Sequence, residues 1–213
     1  VDPEKEMFVS AGSIEALCCA ALTFIDRGDK ALVFPPCYEP HIHHIKLAEG
    51  RPVYVPLREE SGWRPDIDAL ENALKKNKRA RVIYVCSPAN PTGTVFTKEE
   101  IGAIAELAMK YNAIVLADEA YDFLVYDGRQ HASFMSHFPE MGRNLAVFKT
   151  FSKELAMTGY RIGYVVSEAK NINEMLKVHD SLVIAAPTPS QYAVRFALEH
   201  PEEMRRAVDG FRD

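Results

Sequence analysis

Short apolar runs rich in β-branched residues alternate along the chain with stretches in which apolar positions recur every three or four residues. The first pattern predicts buried strands and the second amphipathic helices, because strand side chains repeat every second residue and helical ones about every 3.6. Strands are predicted at Met7 to Ser10, Ala31 to Phe34, Val53 to Leu57, Val82 to Cys86, Ile114 to Asp118, Leu145 to Lys149 and Ile162 to Val166. After the first of them Ile14, Leu17, Cys18, Ala21, Leu22 and Ile25 form a helical stripe that Gly28 terminates. Further on, Thr97 with Glu100 makes a capping box ahead of Ile101, Ile104, Leu107 and Ala108. The alternation predicts a three-layer α/β/α fold, a mostly parallel seven-stranded sheet covered by helices on both faces. Only Pro35-Pro36 and Pro187-Thr188-Pro189 break it locally, so residues 1–213 are expected to form one unit. From Pro201 to Asp213 a further helical pattern (Met204, Val208, Phe211) begins and stops without a cap, and the chain lacks a starting Met. Both ends read as cut.

Composition narrows the partners. With 47% hydrophobic and 26% charged residues the chain can build a core, which excludes disorder over most of its length. Lys and Arg number 25 against 30 Asp and Glu, a net charge of -5, so neither nucleic acid nor an anionic membrane surface is an expected partner. No apolar run approaches the roughly 20 residues that span a bilayer, and Val1-Asp2-Pro3-Glu4-Lys5-Glu6 is unlike a signal peptide. The expected location is cytoplasmic. Cys18, Cys19, Cys37 and Cys86 show no CxxC spacing, and with Cys18 and Cys19 in an apolar helical pattern they read as reduced core residues.

In such sheets ligands bind beyond the carboxyl ends of the strands, so the residues that follow each strand carry the chemistry. Ser10-Ala11-Gly12-Ser13-Ile14-Glu15 leads into a helix whose free N–H groups and dipole, with the Ser13 hydroxyl, suit a phosphate. Taken alone the same residues read more simply as a tight turn with Ser13 as N-cap. Tyr38 follows the second strand, where an aromatic ring either stacks on a planar ligand or packs at the rim. Ser87-Pro88-Ala89-Asn90-Pro91-Thr92-Gly93 is a rigid turn that presents the Asn90 amide, although turn chemistry alone also accounts for it. Asp118 ends the fifth strand, in Asp118-Glu119-Ala120-Tyr121. No G-x-x-x-x-G-K-[ST] loop accompanies it, so an ATPase reading is dropped. Thr150-Phe151-Ser152-Lys153 follows the sixth strand, with Arg161 eight residues past the lysine. A lysine beside other cations or partly desolvated has a lowered pKa and becomes a nucleophile, whereas an isolated one is a solvated surface group. His41, His43 and His44 have no Cys or carboxylate beside them in the pattern, and no metal site is expected. A phosphate cradle, a stacking ring, an amide, a carboxylate and a lysine at one sheet edge together fit pyridoxal 5'-phosphate.

The ordered set S-A-G-S-I-E-A-L, P-P-C-Y, S-P-A-N-P-T-G, D-E-A-Y and T-F-S-K-E-L-A-M-T-G-Y-R-I-G-Y resembles the class I/II (fold type I) pyridoxal phosphate-dependent aminotransferases of the aspartate and aromatic aminotransferase-like branch. The likeness runs from Phe8 to about Leu198. It implies that Lys153 forms the Schiff base and then moves the proton between substrate and cofactor, and that Asp118 pairs with the protonated pyridine nitrogen. By the same resemblance Asn90 and Tyr121 bond the cofactor's 3'-oxygen and Tyr38 stacks on the ring. Gly12, Ser13, Ile14, Thr150 and Arg161 would hold the phosphate. The implied reaction transfers an amino group from an α-amino acid to a 2-oxo acid in a homodimer. A C-S β-lyase and an aminotransferase-like regulatory domain are the alternatives on the same fold. The family's second, smaller domain, with its substrate-binding arginine, has no counterpart in these residues, so residues 1–213 are expected to be the large cofactor domain, of low activity alone. Ile14 stands where a basic residue can meet an acidic substrate, which leans the substrate towards neutral or aromatic amino acids; the same residue also reads as the start of the helix core.

Overall fold

A computed structural model of the chain describes residues 1–203. In chain order its elements are β1 (Met7–Ser10), α1 (Ser13–Phe24), β2 (Lys30–Val33), α2 (Glu39–Leu47), β3 (Arg51–Tyr54), α3 (Ile67–Lys76), β4 (Ala80–Cys86) and α4 (Lys98–Lys110). There follow β5 (Ile114–Asp118), α5 (Phe134–His137), β6 (Leu145–Thr150), α6 (Phe151–Glu154), β7 (Gly163–Ser167), α7 (Ala169–Leu182) and α8 (Thr188–Glu199). The predicted strands are all present, β1 and β5 with the predicted ends and the others displaced by at most three residues, whereas of the four cysteines only Cys19 is fully buried. The predicted helical residues Met204, Val208 and Phe211 lie outside the described residues. No described helix is long and apolar enough to cross a membrane.

All seven strands join one sheet in the order β1-β7-β6-β5-β4-β2-β3. Neighbours from β3 to β6 are parallel, and both antiparallel pairings belong to β7, which runs against β6 and β1 alike. The central strands are buried on both faces, which is why their sequences read as continuous apolar runs. On one face Ile83, Val85, Val115, Ala117 and Val147 pack under α3, α4 and α5. On the other Tyr84, Leu116, Ala146 and Phe148 pack under α1, α2 and α7.

Two local signals have different outcomes. Thr97 and Glu100 form the predicted box, each side chain accepting from the other's backbone N–H, and Glu100 also binds Arg64. At α1, by contrast, Gly12 and not Ser13 holds the N-cap, and no side chain caps it. The backbone passes there through φ 86°, a conformation open to glycine and costly for any residue with a Cβ. Ser13 is thereby the first helical residue.

On α2 the periodicity buries His44 with its Nδ1 unpartnered. Burial, with help from His41 and His43, pushes its imidazole down to about 4. The unfolded chain takes up this proton first, since its histidine titrates near 6.5. Stability is therefore present in full above about pH 6.5 and is lost as the pH falls towards 4. Between pH 8 and pH 5 the wild type is expected to lose about 1–2 kcal/mol more than His44→Gln, read from urea unfolding of both across that range.

Candidate active site

Strand alternation decides which side chains reach the site. Along β5 Leu116 and Asp118 point to the α1–α2 face, and Ala117 and Glu119 to the other. Asp118 thus arrives, 4% exposed, at the end of the strand. A carboxylate so placed needs partners. It accepts from the Ala120 N–H at 3.3 Å and lies 3.0 Å from His41 Nε2. His41, in the first turn of α2, is clamped between Tyr84, stacked at 4.9 Å, and Tyr38, edge-on at 5.5 Å. Of the histidine trio, His43 lies 3.4 Å from Glu39, a carboxylate that the sequence pattern had left out, and His41 is tied to the site carboxylate. The sequence reading missed that role; the signal available was a histidine on a buried helix face, which requires a polar partner.

Ser13, Ile14, Tyr38, Asn90, Asp118, Tyr121, Thr150, Lys153 and Arg161 line one cavity of about 180 Å³ at the carboxyl edge of the sheet. Gly12, the remaining predicted residue, lies behind Arg161: a Cβ there would come within 2.5 Å of the guanidinium. Cys86, Ser152 and Thr158 also line the cavity and were not predicted. A larger cavity of about 910 Å³ lies beside α8, but its walls are mainly apolar and its Arg195 and Glu199 pair with each other. It lacks the convergent anion, cation and amine of the smaller one.

The cavity is polarised. At one side stand the N-terminus of α1, whose first N–H groups have no intrahelical acceptor, and Arg161. Arg161 has φ 52° and donates to the Thr158 carbonyl at 2.9 Å and the Ser152 hydroxyl at 3.4 Å. Thr150 Oγ1 accepts from the Ser152 N–H at 3.2 Å, which turns the chain from β6 into α6. Gly163 admits this packing, because a Cβ would sit 2.8 Å from Ser13 N. Elsewhere in the cavity the Asp118 carboxylate faces Tyr121, whose hydroxyl accepts from Asn90 Nδ2 at 3.4 Å. Burial, Cys86 and the Asp118 charge raise the Tyr121 hydroxyl, and the Asn90 bond opposes them. Lys153 Nζ lies 5.9 Å from the Tyr121 ring centre. The arrangement presents an anion cradle, a buried carboxylate, a hydroxyl with an amide, and an amine to one ligand.

The whole chain, residues 1–213, matches the family model for aminotransferase class I and II. The chain belongs to the class I and II aminotransferase family. It is 36% identical over 210 residues to an aspartate aminotransferase of Pyrococcus horikoshii, covering 98% of this chain and 52% of that protein. Over 224 residues it is 31% identical to human kynurenine–oxoglutarate transaminase 1, covering 99% of this chain and 52% of that one. A Thermus thermophilus aspartate aminotransferase variant superposes with a TM-score of 0.91 at 31% identity, over 98% of this chain and 56% of that structure. The chain spans about half the length of the curated relatives it matches.

Members of this aminotransferase family use pyridoxal phosphate. The cavity fits such a group: a cradle that a Cβ at Gly12 or Gly163 would fill, a guanidinium for a phosphate, and a buried carboxylate for a ring cation. Gly12→Ala forces a positive φ on alanine and displaces Arg161. We expect it to weaken retention of pyridoxal phosphate at least tenfold, measured by equilibrium dialysis, and to lower stability by about 1–3 kcal/mol in urea.

Proposed function

We propose that the chain is the cofactor-binding part of a pyridoxal phosphate-dependent aminotransferase that moves an amino group from an α-amino acid to a 2-oxo acid. The observation that carries this reading is the convergence of the Asp118 carboxylate, the Lys153 amine and the Arg161 guanidinium on one cavity. Residues 1–213 are read as the large domain; their span, about half of the relatives' length, supports this. A homodimer with a cytoplasmic location belongs to the same reading. The relatives' names, all aminotransferases or transaminases, favour amino transfer over the lyase and regulatory alternatives.

When bound, the cofactor supplies a ring that draws electrons from the substrate Cα. The chain's own residues hold and orient. Gly12, Ser13, Ile14, Thr150 and Arg161 grip the phosphate through backbone N–H groups, a hydroxyl and the guanidinium. Tyr38 packs on the ring, and Tyr121 with Asn90 donates to its oxygen. Asp118, steadied by His41, keeps a proton on the ring nitrogen; because the carboxylate is buried, the pairing is little screened by water. Lys153 Nζ, whose side chain lines the same cavity, would hold the cofactor through its amine and would move a proton to and from the substrate Cα. Ile14 is the apolar group at the cavity rim, and supports a neutral or aromatic substrate.

Lys153→Ala tests the central assignment. The parent is expected to retain cofactor covalently after borohydride reduction, with the label on Lys153 by mass spectrometry, and to lose its absorption band on addition of amino acid. In Lys153→Ala both signals should vanish, and amino transfer should fall by about 10³-fold or more. Trapping equal to the parent's in the variant would remove Lys153 from this role.

A further inference from the structure

On the face of the sheet opposite the cavity lies a charged network that the proposed chemistry does not use. Strand parity puts it there: Thr150 points to the site, so Lys149 points away, as Glu119 does beside Asp118. The Lys149 side chain is only 18% exposed, and its ammonium lies 2.8 Å from Glu119 Oε2. It also binds the Asp122 carboxylate. Glu119 is 2% exposed, accepts from the Phe134 N–H at 3.1 Å through Oε1, and has His131 Nε2 at 3.2 Å from Oε2.

We propose that Lys149 is a positioning residue for Tyr121, holding from behind the sheet the two carboxylates that flank it. The proposal rests on the assignment of Tyr121 to the cofactor's ring oxygen. Glu119 to Asp122 form a turn, closed by the Asp122 N–H on the Glu119 carbonyl at 3.3 Å, and Tyr121 is its third residue. The Glu119 N–H is already fixed to the Phe148 carbonyl of β6 at 3.0 Å. One ammonium therefore staples both ends of the turn to the strand that also carries Thr150 and leads to Lys153. The direction in which the tyrosine leaves the turn then follows from the far face.

The charges persist where they are needed. Burial pulls the Glu119 carboxyl up, but His131 and Lys149 outweigh it and leave the group below its usual range. Burial likewise pulls the Lys149 amine down, and Glu119 with Asp122 reverses that. Glu154 and the Tyr164 hydroxyl are the other ionisable groups that feel this ammonium, and Arg129 and His137 line the same cavity. With a neutral side chain at 149, the two carboxylates face each other without their shared cation, and Asp122 is free to swing into water. His131 remains to hold Glu119, so the fold is not expected to collapse with the turn.

The test titrates the absorption of bound pyridoxal phosphate against pH in the full chain, for Lys149→Met, Lys149→Arg, Tyr121→Phe and the Lys149→Met/Tyr121→Phe pair. Lys149→Met and Tyr121→Phe should move the midpoint in the same direction, by about 1 pH unit, and the pair should move it no further. Lys149→Arg should restore the parent midpoint, and borohydride trapping on Lys153 should persist throughout. In the cofactor-free chain, amide exchange of residues 119–124 should be about tenfold faster in Lys149→Met and unchanged in Lys149→Arg. A midpoint that moves in Tyr121→Phe but not in Lys149→Met overturns the inference and leaves the proposed function standing. Absence of trapping in the parent defeats the proposed function instead, and unchanged exchange at 119–124 then still counts against Lys149. Should Lys149→Met fail to fold, Asp122→Asn, which releases only the more exposed arm, is expected to shift the midpoint the same way to a smaller extent. No shift there is equally fatal.

Discussion

A charged side chain in a sheet that is covered on both faces must be paired or lie at a strand end, because nothing inside the sheet replaces water. In this chain that constraint confines charge to where the strands leave the core. Asp118 and the turn carrying Asn90 stand at the ends of β5 and β4, after residues committed to apolar packing, and Thr150 closes β6 beside Lys149, whose charge is paired on the far face. The site is the rim of the core, and its precision comes from the rigidity of what lies beneath it. Even there the carboxylate is not free: His41, itself held between two tyrosines, supplies the partner that a 4% exposed Asp118 requires.

The reversal of β7 completes the rim. A seventh strand parallel to the rest would have delivered the residues before it to the opposite edge of the sheet. Running antiparallel, β7 begins where β6 ends, with Gly163 opposite both Thr150 and Ser10. Arg161, two residues ahead of it, consequently meets Gly12 and the start of α1. The anion cradle thus joins segments some 150 residues apart in sequence, Gly12 and Arg161 being in van der Waals reach. Two glycines permit it: Gly12 by its positive φ and Gly163 by leaving room for the backbone at Ser13.

The two faces of the sheet divide the electrostatics between them. Neighbouring residues on β5 and β6 send Asp118 and Thr150 to one face, Glu119 and Lys149 to the other, so that a ligand-facing set and a supporting set are one residue out of step. Close charges on the far face are shielded from water and lie within ion-pair distance of one another, whereas Lys153 and Arg161 on the near face keep solvent access. The arrangement gives the turn at Tyr121 a support that does not compete with a ligand for the same space.

Much of this was legible in the residues themselves. Apolar runs separated by helical stripes specify a layered α/β chain, since burial on both faces admits few other sequences. Lys153, Asp118, Asn90 and Tyr121 could be picked out because each ends or follows a predicted strand, where a ligand can reach it. Three things were not legible. Gly12 rather than Ser13 caps α1, a choice set by a backbone angle that composition does not reveal. His41 joins Asp118 across 77 positions of sequence, a pairing produced only when α2 brings His41 to Tyr84 of β4 and the end of β5. Lys149 and Glu119 read as ordinary charges until strand parity buries them together. By itself the sequence determined the apolar strands and helices and which chemistry stands at the strand ends, because these follow from local periodicity. Only the tertiary structure decided the direction of β7 and the partners of each charge, because both depend on contacts between segments distant in the chain.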